Sequence, residues 1–245
     1  MKPFLILQLR PEDEAAQDEL DAILKFGDLK PTEVVQIRME QNGIPSIVLE
    51  NYSAVIVGGG PSNVSDAMEK KSNEQQRFEK DLANLLQEIV AKDFPYLGMC
   101  YGLGALTVNQ HGIMSKEKYG EGAGAVSITL TNEAQTDPIL HGIQKTFRVF
   151  VGHKESCQQL PPDAVWLASS DACPYHIYRL GKNMYATQFH PELDVEGICV
   201  RMDFYKNQGY FKPEELEEIK KNCRKETITE PMKILKNFVD RYRTQ

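Results

Sequence analysis

Apolar residues in the first hundred positions follow two different rhythms. Phe4–Leu9 is an apolar run broken only by Gln8, as expected of a strand buried on both faces. Over Pro11–Phe26 the spacing lengthens. Ala16, Leu20, Ile23 and Leu24 share one helical face, and Gly27 is a stop signal. Thr32–Ile37 and Ala54–Val57 again read as strands. Phe78, Leu82, Leu85, Leu86 and Ile89 recur at helical spacing, Asp93-Phe94-Pro95 ends that helix, and Tyr96–Met99 is the next strand. Strand–helix alternation predicts right-handed crossovers and a mostly parallel sheet. Ligands of such a sheet sit beyond the carboxyl ends of its strands.

From Val126 the pattern changes. Val126–Leu130, Phe147–Val151, Val165–Ser169, Tyr175–Leu180 and Met184–Phe189 are strand-like, with Gly181-Lys182-Asn183 as a hairpin turn. These strands predict a meander or a second small antiparallel sheet. After Val200 the chain is charged. Pro213–Asn222 and Pro231–Tyr242 read as helices that cap the core, and Trp166 is expected inside it.

Three strand ends carry candidate chemistry. The first is Gly98-Met99-Cys100-Tyr101-Gly102. With Ser in place of Cys this is the nucleophile elbow, a sharp strand-to-helix turn that holds the nucleophile in the open. A thiol there lies at a helix N-terminus, whose partial positive charge favours thiolate. The second is Gln188-Phe189-His190-Pro191-Glu192. Pro191 biases His190 towards extended geometry, so His190 and Glu192 project to one side, as a base and the acid that orients it. The third is Val57-Gly58-Gly59-Gly60-Pro61, a strand opening into a loop whose backbone can approach a ligand. The N–H groups of Gly60 and Tyr101 would face a developing oxyanion. No Gly-Lys-Ser/Thr follows, so this is not a Walker-type phosphate loop.

Taken in this order, the three elements resemble the class I glutamine amidotransferases over most of the chain, from Pro3 to about Val200. The likeness is to the glutaminase half of GMP synthetase and its free-standing relatives, which include plant-type γ-glutamyl peptide hydrolases. The resemblance implies a flavodoxin-like α/β fold: a mostly parallel central sheet flanked by helices, with a small additional antiparallel sheet. It implies Cys100, His190 and Glu192 as a triad, with Gly60 and Tyr101 as oxyanion donors. Substrate contacts are implied at Gly59, Gly102, Gly104, Gly152, His153 and Lys154. No metal or organic cofactor is needed for this half-reaction.

Two positions depart from the family pattern. Gly104 stands where the family usually has a Gln that helps hold glutamine. Gly152-His153-Lys154-Glu155 stands in place of a Ser-His-Gly-Asp-like segment. Gly104 is expected to leave space, and free glutamine to bind poorly, unless Lys154 or Glu155 replaces the contact.

The whole chain bounds these readings. With 245 residues, 41% of them hydrophobic, one domain over 1–245 with a single substantial core is expected, and 200–245 forms a helical extension. A net charge of −7 argues against nucleic acid or an anionic membrane as partner. The N-terminal apolar run is short and meets Arg10. No run approaches the roughly 20 apolar residues of a membrane span. Five cysteines at irregular spacing suggest reduced thiols and a cytoplasmic protein. His153-x-x-x-Cys157 and Cys173-x-x-His176 have zinc-like spacing, but spacing alone does not bring four ligands together. His111 and His141 read as surface or loop residues.

Three readings of function remain open at this level. One is an amidotransferase subunit that passes ammonia from glutamine to a separate synthetase, since neither a Ser-Gly-Gly-x-Asp-Ser nor a Walker nucleotide loop occurs in the chain. The second is a self-sufficient γ-glutamyl hydrolase. The third is a non-catalytic glutamine-binding module, against which the intact Cys100, His190 and Glu192 speak.

Overall fold

The computed structural model describes residues 2–243. In chain order the elements are β1 (Phe4–Gln8), α1 (Asp13–Gly27), β2 (Val34–Arg38), α2 (Met39–Asn42), β3 (Val55–Val57), α3 (Asn73–Ala91), β4 (Tyr96–Met99) and α4 (Tyr101–Asn109). There follow β5 (Ile113–Ser115), β6 (Glu121–Leu130), β7 (Thr146–His153), β8 (Ser156–Gln159), β9 (Val165–Ser169), β10 (Ile177–Leu180) and β11 (Met184–Thr187). The helices α5 (Val195–Tyr205), α6 (Leu216–Cys223) and α7 (Glu230–Tyr242) complete the chain.

Among the described residues, nine strands form one sheet in the order β2-β1-β3-β4-β11-β10-β9-β6-β7. The first five are mutually parallel. The remainder continue antiparallel. The strands expected to make a separate sheet therefore extend the main one. The small second sheet pairs β5 with β8, two short segments whose pattern carries no strand signal.

The central strands are buried on both faces, which is why β1 reads as an unbroken apolar run. Phe4 and Ile6 face one core with Ile23 of α1 and Phe238 of α7. Leu5 and Leu7 face the other with Leu82 and Leu86 of α3. Ile234, Leu235, Phe238 and Val239 of α7 are fully buried, each contributing about 1.5–3 kcal/mol by burial. The C-terminal segment is thus part of the main core, not an appendage.

Helix α5 begins at Val195, ahead of the expected start of the helical extension, with the Asp194 side chain accepting from Gly197 N. Trp166 is 43% exposed, contrary to the expectation of a core position. It sits on a strand near the antiparallel side of the sheet, where one face meets solvent. His111 and His141 are exposed. No helix among the described residues is long and apolar enough to cross a membrane.

Register brings the three candidate segments together. Met99 of β4 pairs with Thr187 of β11, and Gly98 pairs with Val57 of β3. The segments that follow these strands leave the sheet side by side at its carboxyl edge, where the parallel topology opens a crevice.

Candidate active site

Cys100 is the N-cap residue of α4, with φ 51° and ψ −94°. Positive φ is costly for a non-glycine residue and persists only where its surroundings enforce it. Here the Cys100 N–H donates to Thr187 O at 2.8 Å and Cys100 O accepts from Gly104 N. The strand end and the first helical turn therefore hold the residue from both sides. Gly102 lies against Val57, whose carbonyl oxygen would be 2.7 Å from a Cβ. Its role is to let α4 approach β3.

His190 and Glu192 do share one side. His190 Nδ1 and Glu192 Oε1 are 2.8 Å apart. A Cβ added to Gly59 would lie 2.5 Å from His190 Nε2 and 3.1 Å from Cys100 Cβ. The imidazole and the thiol-bearing residue therefore converge over a backbone that tolerates no side chain. Gly60 is equally constrained, since a Cβ there would be 2.6 Å from Leu9 O. The Tyr101 N–H is in the first turn of α4, where amides have no partner within the helix.

Arg201 of α5 carries no local mark of a site residue. Its Nη2 donates to Glu192 Oε1 at 2.9 Å, so the fully buried Glu192 carboxylate sits between a histidine and an arginine. Burial alone would raise its pKa. His190 and Arg201 outweigh that and hold it well below the usual carboxylate range. His190 is shifted down, first by burial and further by Arg201, against the pull of Glu192. It is a neutral base at neutral pH.

The Cys100 thiol departs from expectation. Burial, followed by the negative charge of Glu155, pushes its pKa up to about 12. Arg10 and Arg201 oppose this but do not reverse it. Enclosure by the cleft and a facing carboxylate therefore dominate over the helix N-terminus.

Glu155 also corrects the reading of Gly104. A Cβ at Gly104 would lie 2.7 Å from Val64 Cγ2 and 3.5 Å from Glu155 Oε1. The position is filled, and no space is left for a larger substrate head. Glu155 accepts from Val64 N at 3.0 Å and Ser65 N at 2.9 Å. Burial raises its pKa against these donors. Gly152, Lys154, Glu155 and Gln188 line a pocket with Cys100 and Tyr101. Gln188 Oε1 is buried and has no hydrogen-bond partner among the described residues. Lys154 Nζ donates to Gln208 O at 3.0 Å and lies over the Tyr210 ring. The His153 ring turns elsewhere, with Nε2 2.9 Å from Glu121.

Beside Cys100 and His190 a second cleft encloses about 580 Å³ of space, partly open to solvent. Phe150, Met202, Tyr210 and Phe211 supply its apolar lining, and Arg10 and Arg201 also reach it. All of these but Arg10 and Phe150 come from the segment after Val200, which the sequence pattern assigns to capping.

Comparison with known proteins agrees with this geometry. A GMP synthase of Thermosipho africanus (strain TCF52B) is 31% identical over 144 residues, 58% of this chain and 25% of that protein. The chain thus spans about a quarter of such full-length relatives. One of the separately encoded GMP synthase subunits of Thermoplasma volcanium is 26% identical over 161 residues, 65% of this chain and 72% of that one. A glutamine amidotransferase of Thermotoga maritima superposes with a TM-score of 0.76 at 19% identity, covering 99% and 98% of the two chains. At that identity the likeness is one of fold. The family model for class-I glutamine amidotransferases matches residues 21–197, a span that takes in the glycine-rich loop, the Cys100 elbow and the His190–Glu192 pair. The chain belongs to the class-I glutamine amidotransferase family.

Proposed function

We propose that this chain hydrolyses the γ-amide of glutamine through a γ-glutamyl thioester on Cys100. The convergence of Cys100 and His190 over Gly59, with Glu192 behind His190, carries this reading.

In the free chain the thiol is protonated and the imidazole neutral. A substrate ammonium beside Glu155 and Gln188 Oε1 offsets the negative charge that holds the thiol proton. His190 then takes that proton as the sulfur attacks the amide carbon. The N–H groups of Gly60 and Tyr101 stabilise the oxyanion. The C–N bond breaks as His190 returns the proton to the leaving nitrogen, and ammonia departs. Water, deprotonated by His190, attacks the thioester and releases glutamate and the thiol. Glu192 keeps the His190 ring in one orientation throughout.

A γ-glutamyl amide as substrate is a second reading, favoured by the apolar cleft beside the reacting centre. That cleft has room for an amine larger than ammonia, and the bond-making steps are the same. Relatives named as single subunits of a glutamine-hydrolysing GMP synthase support pairing with a separate synthetase that accepts the ammonia. The free thiols fit a reducing compartment such as the cytoplasm.

The test is ammonia and amine release by the pure chain from glutamine and from a γ-glutamyl dipeptide. Turnover of at least one is expected and is abolished in Cys100→Ala. Turnover surviving that substitution, or no product from either substrate, would sink the proposal.

A further inference from the structure

Behind the turn that carries Glu155 lies a second cluster. Glu121 opens β6 and His153 ends β7, while Cys173 and His176 come from the loop between β9 and β10. All four are buried, and one donor atom from each lies within 4.8 Å of the others. Only part of the zinc-like spacing is realised. Cys157 belongs instead to the apolar core that includes Met114 and Tyr178, and Glu121 takes its place. No spacing rule pairs Glu121 with the other three.

Proton placement points to a cation. His153 Nδ1 is 3.1 Å from the carbonyl oxygen of Glu155, which can only accept. It is also 3.0 Å from Ser156 Oγ, whose own proton is committed to Tyr119 O at 2.7 Å. Nδ1 therefore carries the hydrogen, and in the neutral ring Nε2 is a lone pair. That lone pair faces Glu121 Oε2 at 2.9 Å, so two acceptors confront one another. The same carboxylate oxygen lies 2.7 Å from His176 Nε2, yet not in the geometry of a hydrogen bond. Neither ring nitrogen of the fully buried His176 has a hydrogen-bond partner among the described residues. Glu121 Oε1 is already engaged by Ser170 Oγ at 2.6 Å, which leaves Oε2 as the oxygen turned to the histidines.

We propose that Glu121, His153, Cys173 and His176 bind one zinc ion in a closed, tetrahedral structural site. Two nitrogens, one sulfur and one oxygen are a donor set that suits zinc. The contact from His153 Nδ1 to a backbone carbonyl is the outer-shell support that metal-bound histidines use to fix their tautomer. Bonds of about 2.0–2.3 Å to tetrahedral ligands require donors about 3.3 Å apart, so the carboxylate withdraws by roughly 0.5 Å. Coordination releases the Cys173 thiol proton to solvent. Four protein ligands leave no open position, so the ion acts on structure and not on substrate. His176 O accepts from Gln188 N at 2.9 Å, two residues before His190, and His153 precedes Glu155 by two. The ion therefore staples the substrate turn to the strand end that bears the base.

The experiment uses the full chain without a histidine tag, in a Cys100→Ala background so that the cleft thiol cannot capture metal. Metal content is measured after growth with zinc. One zinc per chain is expected, falling at least about tenfold in Cys173→Ser/His176→Gln. Exchange with cobalt(II) should give a thiolate-to-cobalt charge-transfer band that Cys173→Ser removes and Cys157→Ser retains. Zinc should also raise the melting temperature of the metal-stripped chain. A zinc-replete chain that carries no stoichiometric zinc and shows no thermal shift overturns the site. So does a cobalt band that persists in Cys173→Ser. None of these readouts depends on glutamine hydrolysis.

Discussion

Arg201 grips Glu192: its Nη2 donates at 2.9 Å to the carboxylate oxygen that also holds His190 Nδ1 at 2.8 Å. One helix after the last strand thus completes the support of the candidate base. Arg201 lowers the pKa of both partners. Removing it lets both rise. Because His190 must be neutral to take a proton, activity is then lost at a higher pH on the acid side. Arg201→Met should lower kcat about 10–100-fold and move the acid limb of kcat/KM upward. Arg201→Lys should restore part of that displacement. A pH–rate profile of Arg201→Met that superposes on wild type would remove this positioning role.

The raised thiol of Cys100 sets its reactivity in the free chain. Cys100 is partly exposed, whereas Cys157, Cys173, Cys199 and Cys223 are buried. Alkylation should therefore fall on Cys100, but slowly at neutral pH. Its rate should climb about tenfold per pH unit from 7 to 9, because the thiolate fraction rises that way below a pKa of about 12. A rate that levels off below pH 8 would mean that the helix N-terminus and His190 outweigh burial after all.

Glu155 acts on the same thiol from the other side. Glu155→Gln removes the largest negative contribution to the Cys100 pKa, so alkylation of the free chain should speed up. It also replaces an acceptor that serves two backbone N–H groups. Loss of charge-assisted bonding to a substrate ammonium should cost about 1.5–3 kcal/mol, read as a KM roughly 10–100-fold higher. Faster alkylation with an unchanged KM would place the substrate ammonium elsewhere.

The glycines of the site differ in what they exclude. Gly59→Ala puts a methyl 2.5 Å from His190 Nε2, so turnover should be lost while the cores stay intact. Gly104→Gln forces its Cβ to within 2.7 Å of Val64 Cγ2. Such overpacking costs about 1–3 kcal/mol, so the melting temperature should drop. No gain in KM for glutamine is expected, because Glu155 already occupies that side. Improved glutamine binding in a variant of unchanged stability would reverse this reading of Gly104.

Much of the fold is legible in the chain because its signals are local. Phe4–Leu7 and Val55–Val57 are apolar at every position, as buried parallel strands must be. Ile23 and the Phe78–Ile89 series mark helical faces by spacing alone. Cys100, His190 and Glu192 are also legible, since glycines around a turn and a proline between two polar residues constrain the backbone within a few positions. Trp166 misleads because hydrophobicity reports a tendency to be buried, while its strand lies where the sheet has one open face. The β5–β8 pair is too short to show alternation. Arg201 and Glu121 have no local mark at all.

The sequence by itself determined where strands end and which side chains those ends present, because backbone restriction and apolar periodicity act over a few residues. Tertiary structure alone decided what surrounds them. Adjacent parallel strands bring Met99 to Thr187 and so Cys100 to His190. A helix about ten residues further on delivers Arg201 to Glu192. A carboxylate some fifty residues from Cys100 raises its thiol instead of leaving it to the helix N-terminus. Electrostatics and metal-donor geometry depend on distance through space, which sequence separations of 30 to 100 residues do not encode.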